Sequence, residues 1–140
     1  MLIFSAISMY VTMYFNTYEF SHVFFSVTRV YMTLIGIGGM AIIMFLFMRS
    51  MYTNKLKNIG IILGSLLLMG ISTFLVRKQI PIDDVNWMKA MIPHHSIAIL
   101  TSNRADLKDP EVKKLAQEII KAQEKEIAEM KKMIERLEND

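Results

Sequence analysis

A chain of 140 residues, 53% apolar, with no cysteine and a net charge of +3, has room for one domain or for an anchor and a small domain. The absence of cysteine excludes disulfides and thiolate metal sites. Charge is unevenly placed: residues 1–80 carry six Lys or Arg and the single acid Glu19, a net +5, whereas residues 81–140 carry ten Lys or Arg and twelve Asp or Glu, a net −2. That division describes a membrane anchor with an extramembrane tail and argues against nucleic-acid binding.

The first stretch, residues 1–18, is uncharged but holds Ser5, Ser8, Thr12, Asn16 and three tyrosines. It predicts a transmembrane helix, since the basic start and small-residue end of a signal peptide are missing. Residues 20–28, with His22, Phe24 and Phe25, read as a short connection at the membrane interface, where aromatics are favoured. Two further spans follow at 30–48 and 58–76, bracketed by Arg29 and Arg49 and by Lys57 and Arg77. Nineteen residues at ~1.5 Å each give about 28 Å of helix, close to a hydrocarbon core of ~30 Å. A tail of 60 residues is too small to surround two all-apolar helices, so a buried-core reading fails. The loop 49–57 holds three basic residues against Arg29 alone in the loop before it. That bias places the C-terminal domain outside the cytoplasm, although Arg77 and Lys78 nearly offset it.

From Pro81 the pattern becomes amphipathic helix. Val85, Met88, Ile92, His95, Ile99 and Ser102 follow a 3–4 spacing, and Val112, Ala116, Ile119, Gln123, Ile127, Met130, Ile134 and Leu137 form a second stripe. Between them Asp109 suits an N-cap and Pro110 the first helical position, where its missing N–H costs nothing. Residues 81–140 are therefore expected to form a helical hairpin. One apolar face of such a hairpin must be covered, by the membrane portion or by a second copy. A second copy would complete a four-helix bundle, so a homodimer or a higher even oligomer is expected.

The run from Trp87 to Leu100 concentrates the candidate chemistry. Pro93 removes one helical hydrogen bond, to the carbonyl of Lys89, and a helix kinked there fits better than a fresh start, because Ile92 is a poor cap. With the turn centred near residue 108, His94 and His95 face the Gln123 region, Met91 faces Lys125–Glu126, and Met88 lies near Ile127–Met130. Each residue also has an ordinary reading: Met88, Met91, Met130 and Met133 as gap-filling core, His95 as a bonded core histidine, His94 as surface. Together, two imidazoles and three thioethers on one seam suit a soft ion, Cu(I) or Ag(I). Zinc would take thiolate, more imidazole or carboxylate, and a bundle di-iron centre needs Glu-x-x-His, which is absent. Adjacent histidines point ~100° apart on a helix, which disfavours both binding one ion.

At these residues the chain resembles a known family. The run W-M-x-x-M-I-P-H-H-x-x-A-I from Trp87 to Ile99, followed by L-A-x-x-I-x-x-A-Q-x-x-E-I-x-x-M from Leu115 to Met130, is similar to the domain of unknown function 305 family over about residues 83–137. The N-terminal part resembles its membrane-anchored members. The resemblance implies a ferritin-like helical bundle facing the periplasm or cell exterior of a bacterial inner or plasma membrane, and copper or silver binding in some relatives. Carried onto this chain, the implied ligands are Met88, Met91, His94, His95 and Met130; Met133 is added from its place beside the seam. Two departures stand out: one copy of the domain, and a modest ligand set.

The expected class is thus all-α: an anchor at 1–80 with transmembrane helices near 1–18, 30–48 and 58–76, then the hairpin domain at 81–140. The expected function is Cu(I) or Ag(I) binding in metal handling or resistance. The alternative is a non-metal module that drives self-association of a membrane protein. No nucleophile–base motif or H-E-x-x-H is present, so an enzyme using His94 or His95 as a base is disfavoured.

Overall fold

The computed structural model describes residues 1–139, and among them every regular element is helical. Five α-helices run in order: α1 (Leu2–Thr12), α2 (Val27–Met48), α3 (Lys55–Lys78), α4 (Asp84–Arg104) and α5 (Pro110–Asn139). They divide into two compact units, one of Met1–Met13 with Val27–Pro81, the other of Tyr14–Ser26 with the chain from Ile82 onward.

In the first unit α2 and α3 are the principal packing pair, and both match the uncharged runs in the sequence. Each is long and apolar enough to cross a membrane. Their composition is arranged inside out. Thr33, Gly38, Ser65 and Ser72 are buried, while Phe47, Leu56, Leu63, Leu67 and Phe74 are exposed. With Ile37 the one large apolar side chain among those buried on the pair, small residues predominate inside and large apolar ones outside, the reverse of a soluble core. The approach is closest at Gly38, where an added Cβ would lie 2.5 Å from Met69 Cγ and 3.1 Å from the Ser65 carbonyl. Helix α3 starts at Asn54, whose side chain accepts from the Lys57 N–H, and stops at Gln79 in the left-handed conformation.

Helix α1 departs from the expected 1–18 span. It holds 11 residues, about 16 Å at ~1.5 Å per residue, which is half a hydrocarbon core. Its C-terminal end is closed by local bonds: Thr12 Oγ1 donates to the Met9 carbonyl at 3.0 Å, and the Arg29 guanidinium donates to the Met13 carbonyl. A cation on the last carbonyls is where the helix dipole favours one.

In the second unit α4 and α5 form the expected hairpin. Asp83 caps α4 through the Asn86 N–H at 2.7 Å, and Asp109 caps α5 through the N–H groups of Glu111 and Val112. Pro110 opens α5 and Pro93 sits inside α4, which continues through it as one helix. The core between the helices is Met88, Ile92 and Ile99 against Ile127, Met130 and Ile134. Ile92 and Ile99 have essentially no exposure, which is worth ~1.5–3 kcal/mol for each side chain.

A third piece belongs to this unit. Residues 14–26, expected to divide between the 1–18 span and the interfacial connection 20–28, instead pack with the hairpin as a strap with one 3-10 turn at Phe20–His22. Phe24 packs against the hairpin core, and the Tyr18 N–H donates to Ser96 Oγ at 2.7 Å. Cover for the hairpin therefore comes partly from its own chain, a layer that the periodicity of α4 and α5 could not disclose.

Candidate functional site

The buried face of α4 is the row Met88, Ile92, Ser96 and Ile99. This corrects the sequence-derived stripe by one position: Ser96 lies inside, and His95 lies beside it, partly buried. The opposite helix is displaced as well. His95 Nδ1 lies 2.9 Å from Glu126 Oε2, so Glu126 and not the Gln123 region faces the histidine. The reason is the connection between the helices. Ala105, extended at ψ 133°, directs the chain onward, and residues 105–107 border the same cavity as Lys113, Ala116, Gln117 and Ile120 of α5. Helix α5 therefore begins past the end of α4, and the pairs His95–Glu126 and Lys89–Glu138 lie at higher α5 numbers than a turn centred on 108 gives.

The six candidate ligands separate into two sets. Met88 and Met130, from different helices, are both buried in the core cluster, and Met91 packs against it. His95 follows one turn after Met91 on α4, its Nδ1 shut off from solvent; Glu126 is within ion-pair distance but outside hydrogen-bond geometry, so that nitrogen has no hydrogen-bond partner. His94 is exposed, its ring meeting the His95 ring edge-on at 6.1 Å between centroids, and Met133 is 45% exposed on α5. Neither His94 nor Met133 joins the buried thioethers. Among the described residues no three His, Cys, Asp or Glu side chains are gathered for a metal ion. The sulfur donors Met88, Met91 and Met130 belong to or pack against one cluster, and thioethers are the ligand class that soft ions take.

A second polar cluster is formed with the strap. His22 is buried, with Nδ1 3.0 Å from Ser96 Oγ and Nε2 3.8 Å from Glu19 Oε2. Lys131 Nζ donates to Ser21 Oγ at 3.4 Å, and Asn103 Nδ2 donates to the Tyr18 hydroxyl at 3.3 Å. Burial holds the His22 imidazole below its ordinary value of 6.5; the Lys131 charge adds to that, and Glu19 opposes it. Sequence reasoning missed this pair, which lies 74 residues apart. The available signal was Ser96 itself, a hydroxyl in an apolar row that must find a partner.

Among the described residues every regular element is helical, two helices are long and apolar enough to cross a membrane, and a capped hairpin follows them. The chain belongs to the family described as "Domain of unknown function (DUF305)", whose model matches residues 78–140. The "Uncharacterized protein L153" of Acanthamoeba polyphaga mimivirus is 37% identical over 109 residues, covering 75% of this chain and 68% of that protein. That similarity is longer than the family match and so reaches into the apolar half. No solved structure matches the chain.

Proposed function

We propose that this is a membrane-anchored protein whose hairpin binds Cu(I) or Ag(I) through Met88, Met91 and Met130, with His95 beside them, in metal handling or resistance. The observation that carries the reading is the convergence of thioethers from α4 and α5 on one buried cluster beside an imidazole nitrogen with no hydrogen bond. Bound there, the ion would supply soft Lewis acidity; the chain's own part is to hold sulfur donors dry and preformed. His94 and Met133 are left out of the inner set because both are exposed. The test is anaerobic Cu(I) titration of the full chain in mild detergent against a competing chelator. Met88→Leu with Met91→Leu conserves volume and should leave helicity intact, yet weaken Cu(I) binding at least ~10-fold. Unchanged affinity removes those thioethers as ligands.

The anchor reading rests on the inside-out α2–α3 pair and on the makeup of the second unit. Residues 14–26 pack with the chain from Ile82 onward, so an even number of crossings must separate them, and α2 and α3 supply two. The basic loop 49–57 supports an extracytoplasmic hairpin, with Arg77 and Lys78 opposing it; a reporter fused after Asp140 that works only in the cytoplasm would reverse this. The named relative is viral, and a bacterial membrane forms no part of the proposal. Self-association as a homodimer or higher even oligomer completes the reading, supported by Trp87, Val112, Leu115 and Leu137, all at least 40% exposed on the hairpin. A well-folded monomer by mass in mild detergent would refute it. The alternative, a non-metal self-association module, is favoured by one observation: the methionines also close the core as packing residues. Retained oligomerisation with no Cu(I) uptake would select it.

A further inference from the structure

Two of the strap's hydrogen bonds to the hairpin meet at one hydroxyl, that of Ser96, beside those of Ser21 with Lys131 and Tyr18 with Asn103. Ser96 Oγ takes the Tyr18 N–H at 2.7 Å and meets His22 Nδ1 at 3.0 Å. With one lone pair occupied by Tyr18, the hydroxyl proton is available for Nδ1 only while that nitrogen is unprotonated. The neutral ring, carrying its proton on Nε2, fits this arrangement. A protonated ring could still donate Nδ1–H to the second lone pair of Oγ, so what opposes protonation is the burial of the ring, only 7% exposed, with no full counter-charge beside it. The groups facing it would not compensate. From α4 comes the neutral Ser96 hydroxyl. From α5 come Lys131 and Glu124, which line one pocket of about 280 Å³ with His22, Tyr18 and Glu19. The strap contributes Glu19, 57% exposed and 3.8 Å away, with most of its charge screened by solvent.

We propose that residues 14–26 form an acid-released strap: His22 pins them to Ser96 while neutral, and its protonation frees them from the hairpin. The sign follows from linkage. The freed strap binds a proton more readily than the docked one, so docking is at full strength above the ordinary imidazole value of 6.5. It weakens as pH falls below that value, toward the lowered value of the docked ring. Release uncovers the side of the core that Phe24 covers and the lining residues Ile99 and Ile127. Nothing in this device depends on metal binding.

Because the chain has no cysteine, one spin label can be placed at Phe20→Cys, a position 90% exposed and free to carry it. In full-length protein in mild detergent the label should be immobilised at about pH 7.5 and become mobile with a midpoint below the ordinary imidazole value of about 6.5. His22→Gln, which keeps a hydrogen-bonding side chain but takes up no proton, should hold the label immobilised down to about pH 5. A wild-type label still immobile at about pH 5, or a His22→Gln chain that releases in step with wild type, overturns the proposal. If His22→Gln alone frees the strap at pH 7.5, Lys131→Gln decides. Removing that neighbouring charge should move the wild-type midpoint upward, and an unmoved or lowered midpoint refutes the role of His22.

Discussion

Removing the Ser96 hydroxyl isolates the strap's attachment from the rest of the fold. Ser96→Ala deletes one oxygen from a site with no solvent exposure, leaving the Tyr18 N–H and His22 Nδ1 without their partner. The hydrophobic loss is negligible, because alanine fills nearly the same space. A buried donor deprived of its acceptor costs ~1–3 kcal/mol, and the part-buried setting of Tyr18 favours the lower figure. At ~1.4 kcal/mol per factor of ten, that corresponds to a ~5- to 150-fold rise in local opening. Amide hydrogen exchange of the full chain at about pH 7.5, read on the peptide spanning 14–26, measures it directly. Exchange there should accelerate by at least ~5-fold, while peptides from the middle of α5 keep their protection. Unchanged exchange in the strap would show that Phe24 and the remaining contacts hold it, and that the Ser96 bonds contribute nothing measurable.

Ile92→Ala, at a site of zero exposure in the hairpin core, should destabilise the second unit by ~2–5 kcal/mol, read as a lowered denaturation midpoint by helical circular dichroism. Gly38→Val should force α2 from α3, because even a Cβ there meets the Ser65 carbonyl at 3.1 Å; thermal stability in detergent should drop by ~1–3 kcal/mol, whereas Gly39→Ala, with open space around it, should be neutral or better. Lys89→Ala removes the ion pair to Glu138, whose side chain is 49% exposed, and should change stability by less than ~1 kcal/mol in the same denaturation assay.

What the sequence disclosed and what it hid divide along the range of the interaction. The uncharged runs between Arg29 and Arg49 and between Lys57 and Arg77 locate α2 and α3 to within a turn, because charge exclusion is written into every residue. Asp83 and Asp109 mark their helix starts because capping is decided within three residues. The facing register of α4 and α5 was displaced because it depends on where a five-residue loop goes. A turn centred on 108 assumes a tight reversal, whereas Ala105–Leu107 carry the chain onward before α5 begins. The candidate ligand set was legible in part for the same reason. Met88 and Met130 sit on stripes that periodicity defines, while His94 and Met133 sit just off them, where a shift of one position decides between core and solvent.

The residues that escaped, His22 and Ser96, escaped because the second unit is assembled from pieces far apart in sequence. Alone, α4 and α5 bury one seam and leave its flank open, and a two-helix core of this size has little stability to spare. Residues 14–26 close that flank with an aromatic side chain and two hydrogen bonds to one serine. These contacts bridge 74 and 78 residues, a separation that no local pattern in the sequence records. A fragment starting near residue 79 would retain every candidate thioether and lose the strap. Its core would be open on the side that Phe24 covers and where Ile99 and Ile127 line the pocket shared with the strap. Metal affinities measured on such a fragment would describe the released state of the hairpin, and those measured on the full chain at neutral pH the strapped one. The difference between the two would report how far the strap and the thioether cluster are coupled.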